Sequence, residues 1–164
     1  MRQQNTNHPA LATLDPLLGE WRQWALVEGA PGGRIGPIPT SYARTPDGGF
    51  LVQRADLAPD TAAALPEGWR EHHPFPTVAH IGYDDAAGRF TMLYADGRGV
   101  SRVYGLRLTD GELRIWRSAP DFHQRFSARF DASGDTLTGA WEASKDGEAW
   151  QTDFGVVYER VAGR

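Results

Sequence analysis

Six short Asp- and Gly-rich breaks divide this chain into strand-length pieces: Asp47-Gly48-Gly49, Asp84-Asp85-Ala86-Ala87-Gly88, Asp96-Gly97-Arg98-Gly99, Asp110-Gly111, Asp131-Ala132-Ser133-Gly134 and Asp146-Gly147. Between them run alternating apolar segments such as Phe90-Thr91-Met92-Leu93-Tyr94 and Val100 to Leu108. Asp-Gly between alternating runs signals a hairpin, because glycine accepts the positive φ of a tight turn. Strands are expected at about 19–28, 38–45, 49–57, 77–83, 89–95, 99–108, 112–118, 122–131, 135–144 and 149–161, ten in all. Short consecutive links favour an up-and-down order. The expected fold is all-β: one antiparallel barrel of about ten strands with a short N-terminal helix.

The 164 residues suit one domain, with 1–9 expected to be disordered and 10–164 forming the barrel. Leu11, Leu14, Leu17 and Leu18 form a helical stripe over Ala10–Leu18, shortened by Pro16. Residues 29–37 are Gly- and Pro-rich loop. Residues 58–75 form the longest break, the kind of segment that serves as a lid or binding loop.

Six Trp, five Tyr and seven Phe supply bulky rings to fill a barrel. The absence of cysteine excludes disulfides and thiolate metal sites. Met1 to Ala10 is polar, without a signal-peptide core, and no apolar run is long enough to span a membrane. A cytoplasmic protein is therefore expected. The net charge of −4 carries no basic footprint for nucleic acid. Lys145 is the only lysine, which fits the codon bias of a GC-rich genome. The composition permits a homodimer without requiring one.

Side chains alternate between the two faces of a strand. One parity collects Phe90, Met92 and Tyr94; a second Val100, Arg102, Tyr104, Leu106 and Leu108; a third Phe122, Gln124, Phe126, Ala128 and Phe130. Leu137 goes with Trp141, while Trp150, Thr152, Phe154, Val156 and Tyr158 share a parity, and Tyr42 follows Ile38 and Thr40. The expected interior is aromatic with a few polar heads, the composition of a small-molecule pocket. The candidate ligand-binding residues are Tyr42, Tyr94, Arg102, Tyr104, Gln124, Trp141 and Tyr158. Arg102 stands out, because a buried guanidinium needs an acceptor. Asp96, Asp121, water at the barrel mouth or an anionic ligand would serve. On the opposite parity, Arg125, Glu142 and Asp153 read as outward cross-strand charges.

Other chemical motifs are missing. No phosphate loop opens a helix after a strand, and no Gly-x-Ser-x-Gly elbow occurs. His72 and His73 are adjacent, with no third ligand spaced to help them bind a metal. His80 lies on a strand and, if inward, could ligate haem or act as a base.

Several segments carry a resemblance: Leu17-Leu18-Gly19-Glu20-Trp21, the run from Tyr94 to Tyr104, Pro120-Asp121-Phe122-His123-Gln124-Arg125-Phe126, and Gly139 to Gly147 with Trp150, Asp153-Phe154 and Tyr158. Together they resemble uncharacterised bacterial calycin-like barrel proteins, lipocalin- and nitrobindin-like in shape. The resemblance implies a single-domain barrel and no particular activity. The haem protein nitrobindin also has an early Gly-x-Trp, but its pattern continues with glycines where this chain has Arg22-Gln23-Trp24.

The leading expectation is a barrel binding a small apolar or amphipathic molecule, with an anionic one as a variant, and needing no cofactor. Arg102, Tyr94, Tyr104 and Gln124 would orient its polar end, and Trp141 with the phenylalanines would hold its body. A lipocalin-like isomerase, cyclase or hydrolase using a Tyr or His acid/base is the alternative, and haem binding through His80 a further one. A tyrosine base would need a lowered pKa.

Overall fold

The computed structural model describes residues 7–162. Ten strands follow one another round a closed antiparallel barrel: β1 Gly19–Leu26, β2 Arg34–Arg44, β3 Leu51–Ala55, β4 Thr77–Asp84, β5 Arg89–Asp96, β6 Ser101–Thr109, β7 Glu112–Arg117, β8 His123–Phe130, β9 Thr136–Ser144 and β10 Gln151–Arg160. Every strand pairs with its sequence neighbour, and β1 closes the ring against β10, with Trp21 opposite Arg160. Closure leaves no free sheet edge.

Each of the six predicted breaks contains a glycine at positive φ: Gly48, Gly88, Gly99, Gly111, Gly134 and Gly147. The tightest is Asp110-Gly111, where both residues take positive φ, 52° and 75°, as a two-residue hairpin matched to strand twist requires. Elsewhere the Asp holds its turn. Asp146 Oδ1, for example, accepts the backbone N–H of Glu148 and of Ala149, each at 2.8 Å.

One end of the barrel is plugged. Pro9–Leu17 forms a 3-10 helix whose Leu11, Leu14 and Leu17 are buried with Leu51, Ile81, Leu106 and Leu113. Burying each leucine stabilises the plug by about 1.5–3 kcal/mol. Its exit is fastened by the Trp21 indole N–H, which donates to the Leu17 carbonyl at 2.8 Å. Arg160 lies 4.1 Å over the Trp21 ring and donates to the carbonyls of Leu18 and Pro16. Residues 1–6 of the expected disordered start lie outside the described residues. His8, from the same stretch, lies tilted against Tyr83 with ring centroids 4.2 Å apart.

The other end is roofed by the 58–75 segment, which contains two short helices, α1 Pro59–Ala63 and α2 Glu67–His72. Leu65 between them is buried with Ala25, Ala30 and Ile35, and Trp69 meets Phe154 edge-on at 5.5 Å. The Gly97 N–H, in the β5–β6 turn, donates to the carbonyls of Pro74 (3.0 Å) and Pro76 (2.8 Å), tying down the end of the roof.

Strand β10 departs from simple alternation. Thr152 pairs with Glu142 but Phe154 pairs with Trp141, so Asp153 is an extra bulged residue in β10. A bulge reverses the inward and outward parity on either side of it. Trp150 therefore lies outside, beneath the Arg125 guanidinium at 4.1 Å, while Asp153 turns to the cavity. His80 is exposed on the outer wall, 5.4 Å from Phe50, and not inside. Phe122 precedes β8 and lines the cavity at its rim, 38% exposed. Arg125 and Glu142 pair outside as expected, at 3.0 and 3.2 Å.

Candidate functional site

Between plug and roof the barrel holds a cavity of about 370 Å³. This lies at the lower end of the roughly 300–1,000 Å³ of small-molecule sites. Tyr42, Tyr94, Arg102, Tyr104, Gln124, Trp141 and Tyr158 all line it. The strand alternation brings them together from β2, β5, β6, β8, β9 and β10.

On one wall the rings form a ladder. Tyr94 meets Tyr104 edge-on at 6.0 Å, Tyr104 meets Trp141 at 5.8 Å, and Trp141 lies 5.0 Å from Phe126. Two hydroxyls of this wall are engaged within the protein. Tyr94 donates to Asp96 Oδ2 at 2.8 Å, and Tyr104 donates to Gln124 Oε1 at 2.9 Å.

Arg102 donates to the same Gln124 oxygen at 3.3 Å, and its guanidinium lies 5.2 Å over the Phe122 ring. Neither expected carboxylate reaches it. Asp96 is taken by Arg98 (2.7 Å) and Tyr94, and Asp121 makes no ion pair among the described residues. The half-buried charge of Arg102 thus meets one neutral oxygen and an aromatic face.

Asp96 is the wall's anchor. Its side chain is wholly shielded from solvent. Burial opposes its ionisation, yet hydrogen bonds from Arg98 and Tyr94 outweigh that and hold its carboxyl at about 2. Burial, reinforced by this carboxylate, pushes the Tyr94 hydroxyl well above its usual range.

The facing wall is a second polar belt. Register sets Tyr158 opposite Gln23 across β10 and β1, and Tyr42 opposite Gln53 across β2 and β3. The Thr40 hydroxyl is 3.2 Å from Gln23 Oε1 and 3.1 Å from the Ile38 carbonyl, and Thr77 reaches Gln53 Oε1 at 3.5 Å. The hydroxyls of Tyr42 and Tyr158 have no hydrogen-bond partner among the described residues. Burial pushes Tyr42 up to about 12 and Tyr158 well above its ordinary value. Both are neutral donors at neutral pH. That is the reverse of the lowered pKa a tyrosine base requires.

Gln23 and Gln53 were missing from the sequence reading. For Gln53 a signal existed, because Leu51, Gln53 and Ala55 alternate with one another and all three are buried. Gln23 is obscured because Trp21, Trp24 and Ala25 are all buried around it, and the β1–β2 pairing slips between Gln23 and Ala25.

At the mouth, Asp153 and His72 line the cavity together with Trp69. Burial raises the Asp153 carboxyl above its ordinary value. Among the described residues no group of three His, Cys, Asp or Glu is arranged to hold a metal ion, and no helix is long and apolar enough to cross a membrane.

These features define a ten-strand antiparallel closed barrel, plugged at one end, with a polar-walled interior cavity. No protein-family model matches the chain, and no curated protein matches it. Among solved structures it is similar to the crystal structure of Rv2717c from M. tuberculosis, with 19% identity and a TM-score of 0.53 over 96% of this chain and 100% of that one. The likeness extends to the fold.

Proposed function

We propose that this protein is a lipocalin-like, calycin-like barrel that binds a small amphipathic anion in its interior. The observation that carries the reading is Arg102, a guanidinium on the cavity wall with a neutral amide oxygen and no carboxylate as partner. A cation so held favours an incoming carboxylate, which can take two parallel N–H bonds from it. The aromatic ladder offers an apolar face for the ligand's body. A preformed cavity suits binding without a large rearrangement.

A thermal-shift screen with straight-chain fatty acids and aromatic acids tests this reading. Acids are expected to raise the melting temperature of the wild type, while their methyl esters do so weakly. Stabilisation by acids that survives Arg102→Met unchanged contradicts the assignment.

A further inference from the structure

Three buried glutamines, Gln23, Gln53 and Gln124, line the cavity. Arg102 can only donate, so Gln124 must turn Oε1 toward the guanidinium. Gln23 and Gln53 have their Oε1 beside the hydroxyls of Thr40 and Thr77. All three are nine-tenths buried, at 8%, 9% and 8% exposure for Gln23, Gln53 and Gln124. None of the three amide nitrogens has a partner among the described residues. With Tyr42 and Tyr158, the unengaged groups are amide N–H donors and neutral hydroxyls.

Their placement is two-ended. In the ring of ten strands β1 lies diametrically opposite β6. The belt of Gln23, Gln53, Tyr42 and Tyr158 therefore faces the Arg102–Gln124 pair across the cavity. A plain hydrocarbon tail would leave those buried donors unpaired, which is unfavourable. A second anion there would lack a cation. A neutral carbonyl oxygen, with two lone pairs and no proton, satisfies the belt.

We infer that the ligand class is a monocarboxylic acid with a neutral carbonyl oxygen at its far end, the carboxylate at Arg102 and the carbonyl at the Tyr42–Tyr158–Gln23–Gln53 belt. This inference rests on the binding reading above and narrows it.

Calorimetry with two probes tests it: octanoic acid, and its analogue with a ketone at the penultimate carbon. The keto acid is expected to bind the wild type about tenfold tighter, the size of one well-made buried hydrogen bond. The double variant Tyr42→Phe/Tyr158→Phe should bring that ratio close to one, weakening the keto acid and tightening octanoic acid, whose tail no longer leaves the two hydroxyls unpaired. Should this variant not fold, Gln53→Met reads the same ratio, which must fall. Arg102→Met should weaken both probes equally and preserve the ratio. Equal binding of the two acids by the wild type overturns the inference and leaves the binding reading standing. Binding of neither acid overturns the binding reading itself.

Discussion

The guanidinium of Arg102 and the amide oxygen of Gln124 meet at 3.3 Å, and that oxygen is shared with the Tyr104 hydroxyl at 2.9 Å. A neutral oxygen divided between two donors cannot offset a full positive charge. Evolution of a stable core would favour an apolar side chain at this position, as replacing buried ionic groups often stabilises a protein. The arrangement is better suited to receiving a charge than to holding the fold together.

Arg102→Met is accordingly predicted to leave thermal stability unchanged or slightly raised. Affinity for carboxylates should fall about ten- to hundredfold, as expected for a charged hydrogen-bonding partner. Differential scanning calorimetry together with isothermal titration checks both halves. A large drop in melting temperature would show that residue 102 is structural.

Asp96 has the opposite character. It accepts bonds from Tyr94, from the Arg98 backbone N–H at 2.9 Å and from the Arg98 guanidinium at 2.7 Å. Asp96→Asn is predicted to destabilise the barrel by about 2 kcal/mol, the range for hydrogen bonds to a charged group. The folded carboxyl titrates at about 2, below the ordinary aspartate range. Its contribution is thus fully present above pH ~4 and is lost as the pH falls toward 2. Urea unfolding measured across that range should show the wild type losing stability more steeply than the variant.

Gly139 faces the curved wall so closely that an added Cβ would lie 2.0 Å from the Ser127 carbonyl oxygen and 2.6 Å from Ala128 Cα. These are backbone atoms and cannot turn aside. Gly139→Ala should destabilise the barrel by about 1–3 kcal/mol, the usual effect of overpacking. Chemical denaturation checks this, and a neutral result would mean that β8 and β9 can part locally.

Trp69 closes the roof through its edge contact with Phe154. Such a pair contributes about 0.5–1.5 kcal/mol, so Trp69→Ala should speed ligand release about two- to tenfold. Stopped-flow displacement measures the release rate. An unchanged rate would mean that ligands leave by another path.

Asp153 sits at the mouth with its carboxyl raised by burial. When ionised, it repels an approaching acid. Asp153→Asn is predicted to raise the association rate of carboxylates at neutral pH, with the effect fading as acidification protonates the wild-type residue. Association rates at two pH values and low salt decide this.

Much of this architecture could be read from the sequence because turn chemistry is local. An Asp that accepts its own turn's N–H groups and a glycine at positive φ need no distant partner, so the six breaks marked hairpins reliably. Parity extended that reading to the cavity wall, since Arg102, Tyr104 and Gln124 lie on regular strands. It failed where a register slip intervened. The bulge at Asp153 sent Trp150 outward and Asp153 inward, and nothing in a run of alternating letters announces one extra residue. Gln23 was hidden for the same reason, beside the slip between β1 and β2. The partner of Arg102 was not deducible either, because Asp96 is drawn away by Arg98, two residues along the same turn.

The most direct test of the account is the ionisation of the bound acid itself. Octanoic acid labelled with carbon-13 at its carboxyl can be titrated by NMR in complex with the wild type and with Arg102→Met. The account predicts that the bound carboxyl titrates below the free acid in the wild type and moves upward in the variant, as a neighbouring guanidinium demands. A bound carboxyl that titrates above the free acid with Arg102 in place, or an acid that does not bind, would contradict it.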